Sequence, residues 1–82
     1  MDKILVVVYV LSLEETYDVL LPINLNAKEC LDMMQDTIVD LSKGTYQKNP
    51  NALLYTETGH VINLQNNVKF SGLTNGCKVL LK

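Results

Sequence analysis

Apolar residues in the middle of the chain recur at intervals of three and four, which places them along one side of an α-helix. They are Ala27, Leu31, Met34, Ile38 and Leu41, with Cys30 at the edge of the stripe. Asn26 is a favoured N-cap residue, and Glu29 follows three positions later, as in a capping box. Gly44 suits a left-handed C′ position. The pattern predicts one helix over residues 26–44. The polar residues predicted to face water are Lys28, Glu29, Asp32, Gln35, Asp36 and Asp40.

The chain before this helix has the pattern of a β-hairpin. Residues 4–11 are β-branched, aromatic or aliphatic on both faces, which is typical of a central strand. Residues 12–15 form a polar break, and residues 16–21 then alternate. Because Asp18 occupies an even position, we expect the odd positions of this second strand to face the core.

The chain after the helix is predicted to consist of short strands and turns. A polar loop covers residues 45–51, and short strands are predicted at 52–56 and 61–64 on either side of a turn. A turn at 65–67 and an irregular connection follow, with Val68, Phe70 and Leu73 as its apolar residues. Asn75-Gly76 is a strong turn signal. The last strand, 77–81, is expected to place Cys77, Val79 and Leu81 on one face.

The order of these elements predicts the fold class. A hairpin, a helix and a late strand that must find partners in the same sheet indicate an α+β fold with a mixed sheet and one helix packed across it. This is the β-grasp, or ubiquitin-like, architecture, and we expect a single domain over residues 1–82. The last strand would run parallel to the first, which explains why the first is apolar on both faces.

Composition excludes several classes of function. A net charge of −2 and the absence of Trp argue against a nucleic-acid-binding protein. The apolar run at 4–11 is too short to span a bilayer, and no signal peptide is recognised, so direct membrane insertion is not expected. Two cysteines in a chain of this size fit a reducing compartment. We therefore expect a cytoplasmic protein.

Candidate catalytic and metal-binding groups are few. Cys30 and Cys77 could form a nucleophilic or redox pair, but both lie on predicted core faces, where a thiol behaves as a small apolar group. His60 is the only histidine and lies in a predicted turn. One histidine and two separated cysteines do not make a zinc site. We expect no catalytic residue, no metal and no cofactor.

Four carboxylates form what we call the acidic ridge on the wet face of the helix: Glu29, Asp32, Asp36 and Asp40. A convex helix face has no cleft that would shift their pKa values for acid–base chemistry, and it lacks the converging loop oxygens that Ca²⁺ needs. The ridge is either a solvated face or a secondary docking site for a basic partner.

Leu54 and Leu80 are the leading candidates for a binding patch. If Leu53 and Tyr55 face the helix, Leu54 points outward, and Leu80 points outward if Val79 faces the core. Two exposed leucines on neighbouring strands would form an apolar patch for a protein partner. With the outward residues of the first strand, the patch could also support a homodimer. The alternative is two unrelated surface leucines, which are common.

Two short motifs resemble a known family. The stretch T-Y-D-V-L-L-P at 16–22 resembles the second-strand pattern of the YukD/EsaB-like proteins, which are ubiquitin-like proteins of type VII (WXG100/ESX-type) secretion systems. The stretch L-T-N-G-C-K-V-L-L at 73–81 resembles the ending of that family, with Cys77 in place of the more usual Asp. The segment 53–55 also looks like the part of ubiquitin that carries an exposed isoleucine, which would place Leu54 in the binding patch.

The resemblance implies a non-enzymatic accessory or regulatory protein of the secretion machine. Its expected partner is the membrane-bound FtsK/SpoIIIE-type ATPase or another membrane subunit. Conjugation is not expected, because the sequence ends in Leu80-Leu81-Lys82 without a Gly-Gly tail. The alternatives are an unrelated β-grasp adaptor or scaffold domain and a sulfur-carrier or modifier protein.

Overall fold

The computed structural model describes residues 3–65 and 73–82, in which four strands form one sheet and one helix packs across it. The elements are β1 (Lys3–Val10), β2 (Glu15–Pro22), α1 (Ala27–Leu41), β3 (Leu54–Thr56) and β4 (Cys77–Leu81). The strand order is β2-β1-β4-β3, with β1 parallel to β4 and the other pairs antiparallel. This arrangement confirms the predicted α+β, β-grasp fold with β1 as a central strand.

Strand alternation in the hairpin is as the sequence predicts. The even positions of β1 are buried against α1, and Val6 and Val8 are completely shielded from solvent. Val6 pairs with Val19 in β2, so the odd positions of β2 share the same face. Val19 and Leu21 are buried, while Leu20 is exposed. The core therefore lies between one face of the sheet and the helix.

The helix begins as its capping signal predicts, and its end differs by one position. The Asn26 side chain accepts a hydrogen bond from the Glu29 N–H at 2.8 Å. At the other end, Lys43 and Gly44 both have positive φ, and the Gly44 N–H donates to the Val39 carbonyl at 2.9 Å. This is a Schellman motif in which Lys43 takes the C′ position and Gly44 the next. Gly44, which the sequence predicts at C′, therefore lies one residue beyond that position.

Two predictions about the faces of the helix are wrong. Leu41 is 52% exposed because it ends the helix beyond the edge of the core. Gln35 is buried, because the loop after the helix folds back over this side. The Gln35 Oε1 accepts hydrogen bonds from the Tyr46 hydroxyl at 2.8 Å and from the Asn49 N–H at 2.7 Å. The buried amide oxygen therefore accepts two hydrogen bonds, as buried polar groups in folded proteins usually do.

The predicted orientation of β3 is also wrong. Leu54 is 0% exposed and lies in the core, whereas Leu53 is 41% exposed. The cause is the pairing with β4, in which Leu54 lies opposite Leu81. Directly paired residues share a face, and Leu81 faces the helix, so Leu54 must face it too. Tyr55, opposite Leu80, takes the outward position instead.

The chain after β3 contains less regular structure than predicted. In place of a strand at 61–64 there is one isolated bridge, between Tyr55 and Val61. The Ile62 N–H donates to the Leu54 carbonyl at 2.8 Å, which brings Ile62 into the core. The predicted turn at Asn66 and Asn67 lies outside the described residues, as do Val68 and Phe70.

The Asn75-Gly76 turn sets the register of β4 against β1. The Asn75 Oδ1 accepts from the Leu5 N–H at 2.8 Å, and the Gly76 N–H donates to the Leu5 carbonyl at 2.7 Å. Gly76 has φ +84°, a left-handed conformation that glycine adopts without strain. The turn signal is confirmed, and it joins the last strand to the first.

A matched pair of variants tests the register of β3. Leu54→Ala should lower the free energy of unfolding by about 2–5 kcal/mol, because it opens a cavity in the core. Leu53→Ala, one residue earlier and exposed, should change it by within about 0.5 kcal/mol. Urea denaturation followed by circular dichroism measures both. The register is contradicted if Leu53→Ala is the more damaging substitution.

Candidate protein-binding surface

The side of the sheet that faces away from α1 is the candidate functional site, and we call it the outer sheet face. Strand alternation and pairing register assign its side chains. They are Leu5, Val7, Tyr9, Thr16, Asp18, Leu20, Tyr55, Lys78 and Leu80. The helix covers the opposite face, where the buried core lies.

The outer sheet face is largely apolar and remains open to water. Leu20 is 61% exposed and lies directly opposite Leu5. Tyr9 is exposed beside Leu80, which in turn lies opposite Tyr55. Contiguous apolar surface of this kind commonly marks a protein interface. The arrangement makes this face the candidate for contact with another protein.

Two opposite charges border the centre of this face. Val7 lies between Asp18 on β2 and Lys78 on β4, each of which is its direct cross-strand neighbour. Asp18 and Lys78 are both exposed. Within residues 3–65 and 73–82, the one ion pair joins Lys48 and Asp36 elsewhere on the surface. The outer sheet face thus carries a negative and a positive charge on either side of an apolar centre.

A depression of ≈ 260 Å³ lies at one side of the outer sheet face. Tyr9, Lys78 and Leu80 line it from the sheet, and Glu57 and Gly59 line it from the turn after β3. The depression is large enough for one apolar side chain of a partner, and its rim carries both a cation and an anion.

The structure separates the two residues predicted to form the binding patch. Leu80 is half-buried on the outer sheet face, between two buried neighbours that point to the core, as predicted. Leu54 is in the core and cannot contact a partner. The prediction missed Leu20 and Tyr55. The alternation of β2 already placed Leu20 beside Asp18, whereas Tyr55 required the register of β3.

The acidic ridge lies on the far side of the molecule. Glu29, Asp36 and Asp40 are exposed, and Asp32 is half-buried. The Lys48 Nζ lies 3.0 Å from the Asp36 Oδ1, so one carboxylate of the ridge already has a cationic partner. The ridge and the outer sheet face are therefore separate surfaces with different chemistry, and a partner could use one without the other.

The two cysteines and the histidine lie in different parts of the fold: Cys30 in α1, Cys77 in β4 and His60 in the connection after β3. The Cys30 Sγ is buried and donates to the Pro22 carbonyl at 3.4 Å. Burial, with a smaller contribution from Glu29, raises the pKa of Cys30 to about 11, so the thiol is neutral near pH 7. Cys77 is half-buried in β4, and His60 is exposed, with Nδ1 2.9 Å from the Thr58 hydroxyl. Residues 3–65 and 73–82 contain no group of three or more His, Cys, Asp or Glu that could hold a metal ion.

No helix within the described part of the chain is long and apolar enough to cross a membrane.

Comparison with known proteins identifies the fold and gives no sequence family. No protein-family model and no curated protein matches the chain. Among solved structures, the EccD5 ubiquitin-like domain from Mycobacterium xenopi superposes with a TM-score of 0.79 at 10% identity, over 100% of this chain and 94% of that one. The ubiquitin-like domain of the Mycobacterium tuberculosis type VII secretion protein EccD1 gives 0.73 at 13% identity, over 99% and 98%.

A third match comes from a larger assembly. A chain of the MycP5-free ESX-5 inner membrane complex gives a TM-score of 0.78 at 11% identity, over 100% of this chain and 21% of that one. At these identities the likeness establishes a ubiquitin-like fold. The order of strands and helix in all described residues agrees with it.

The pKa of Cys30 leads to a testable pH dependence of stability. Between pH 9 and about 11 the native thiol stays protonated while the unfolded chain loses its proton. The free energy of unfolding should therefore fall as pH rises, by up to roughly 1.4 kcal/mol per pH unit from this group. Urea denaturation across this range should give a shallower fall for Cys30→Ala than for the wild type. Equal pH dependence in the two proteins would contradict the buried neutral thiol.

Proposed function

We propose that this chain is a non-enzymatic interaction module of a bacterial type VII secretion system, and that it docks through the outer sheet face. The observation that carries the proposal is the exposed apolar surface around Leu20, Tyr9 and Leu80 on a ubiquitin-like fold. Removing exposed apolar side chains from water lowers the free energy, so a complex that covers this face is stabilised by their burial.

Two observations support the secretion assignment. The motifs at 16–22 and 73–81 resemble those of YukD/EsaB-like proteins. The structural neighbours include ubiquitin-like domains named for EccD5 and EccD1, and a chain of the ESX-5 inner membrane complex. A sequence resemblance and a structural one thus point to the same kind of machine. On this proposal the chain belongs with the YukD/EsaB-like proteins encoded beside WXG100 substrates.

The partner we propose is a membrane subunit of the machine, and in particular the cytoplasmic region of its FtsK/SpoIIIE-type ATPase. The chain would then act in the cytoplasm, without inserting into the membrane. Its contribution would be binding to that subunit. The buried, neutral Cys30 is unsuited to nucleophilic chemistry. Conjugation through the C-terminus is not part of the proposal.

The outer sheet face is a better docking surface than the acidic ridge. Leu20 and Tyr9 present apolar area whose burial stabilises a complex, at about 25 cal/mol per Å² of surface removed from water. The ridge offers solvated carboxylates, one of which already pairs with Lys48. Exposed ion pairs contribute at most about 1 kcal/mol each. The ridge remains the secondary candidate, through Glu29, Asp32, Asp36 and Asp40.

A pair of leucine variants tests the docking face. Leu20→Ser, on the outer sheet face, should weaken binding to the purified cytoplasmic region of the ATPase by at least about tenfold, a change of roughly 1.4 kcal/mol. Leu41→Ser makes the same chemical change at an exposed position on the helix, and should leave binding unchanged. Biolayer interferometry measures both affinities, and circular dichroism confirms that each variant is folded.

Two results would count against the proposal. Equal binding by wild type and Leu20→Ser would remove the outer sheet face as the docking surface. Absence of binding to the ATPase and to the other membrane subunits, together with a gene neighbourhood lacking WXG100 and FtsK/SpoIIIE-type genes, would remove the secretion assignment. The unrelated adaptor would then be favoured.

A further inference from the structure

The two margins of the sheet differ in how their backbone groups are used. At one margin, the segment after β3 bonds back to that strand, since the Ile62 N–H donates to the Leu54 carbonyl and the Thr56 N–H to the His60 carbonyl. At the other margin lies β2, which within residues 3–65 and 73–82 pairs with β1 alone. The outward edge of β2 is therefore where the sheet can accept a further strand.

Three residues of β2 direct their backbone groups away from the sheet. The Leu5 N–H and C=O both form hydrogen bonds with the turn before β4, so the odd residues of β1 bond towards β4 and the even ones towards β2. The even residues of β1 pair with the odd residues of β2. The outward N–H and C=O groups of β2 therefore belong to Thr16, Asp18 and Leu20.

This edge ends at Pro22, where it meets the helix. Proline has no N–H to offer, and its carbonyl accepts from the Cys30 Sγ at 3.4 Å. The contact identifies the side of α1 that lies beside β2. Met33 and Leu41 follow Cys30 by about one and three helical turns, so they lie on the same side, and both are exposed. A strand added to β2 would thus have apolar side chains of the helix next to it.

The charges on β2 are all negative. Glu15 and Asp18 are both exposed, and the strand contains no lysine or arginine. Two copies of β2 paired antiparallel over residues 16–20 would set Asp18 opposite Asp18, and like charges directly opposite each other are unfavourable. A cation at that position in a different chain would be favourable. The charge pattern therefore selects a basic segment over a second copy of this chain.

From the outward backbone groups, the apolar helix side and the charges, we infer that β2 binds an extended, basic segment of a protein partner as an added strand. In antiparallel pairing, the residue opposite Asp18 is lysine or arginine. The residues opposite Tyr17 and Val19 are aliphatic, because their side chains turn towards the helix. The site uses the backbone edge of β2, whereas the proposed function uses side chains of the outer sheet face, so each can hold without the other.

A synthetic peptide with the core V-I-K-I-T, capped at both ends and flanked by lysines, is the probe. Its central lysine would lie opposite Asp18. Titrated into the isotope-labelled full chain, it should slow the exchange of the Thr16, Asp18 and Leu20 amide protons with solvent, because these become hydrogen-bonded. Nuclear magnetic resonance measures the exchange. Unchanged exchange at these three amides in the presence of millimolar peptide would overturn the inference.

The variants Thr16→Pro and Thr16→Val form a matched pair. Proline removes an outward N–H and sets its ring against the incoming strand, while the ladder to β1 is kept because Thr16 does not donate to it. Thr16→Val keeps the N–H. Peptide affinity should be at least about tenfold lower for Thr16→Pro than for Thr16→Val. Circular dichroism verifies folding, and equal affinities of two folded variants would refute the added strand.

Charge exchange gives a test that does not require proline. A second peptide, with glutamate in place of the central lysine, should bind the wild type more weakly than the first, and Asp18→Lys should reverse this order. Asp40→Lys makes the same charge change on α1 and should keep the wild-type order. The same order in wild type and Asp18→Lys would overturn the cation opposite Asp18. Binding of the ATPase, which Leu20→Ser tests, is measured separately and is unaffected by either outcome.

Discussion

The parallel pairing of β1 with β4 is the constraint on which the rest of the structure depends. The Asn75-Gly76 turn fixes it through two hydrogen bonds to Leu5. Once Val8 and Val79 are neighbours on the core face, the alternation of β4 is set, and with it the orientation of every residue in β3. The helix covers the face that results. The same register also determines which apolar side chains lie on the opposite face, where the helix does not cover them.

Much of the fold could be predicted from the sequence, because its signals are local. The Asn26 cap and the stripe from Ala27 to Ile38 are readable within one helix, and the alternation of β2 follows from one charge at Asp18. The orientation of Leu54 could not be predicted in this way. It depends on which residue of β4 lies opposite, and in a strand of three residues a shift by one exchanges the two faces.

The errors in the helix have a similar origin. Gln35 is polar and was expected in water, yet it is buried because Tyr46 and the Asn49 N–H come from a loop with no regular pattern. The spacing of apolar and polar residues cannot predict hydrogen-bond partners that come from such a loop. In the candidate site, too, some features follow from the pattern of one strand and others depend on how two strands pair. The outward position of Leu80 was predictable from the alternation of its own strand, whereas its pairing with Tyr55 required the register of β3 against β4.

We propose that function resides on the outer sheet face and not on the acidic ridge, which lies on the opposite side of the molecule. The most direct measurement is solution NMR of the isotope-labelled chain, titrated with the cytoplasmic region of the secretion ATPase. We expect chemical-shift changes at the amides of Tyr9, Leu20 and Leu80, and none at those of Glu29 and Asp40. Changes confined to Glu29 and Asp40 would contradict it.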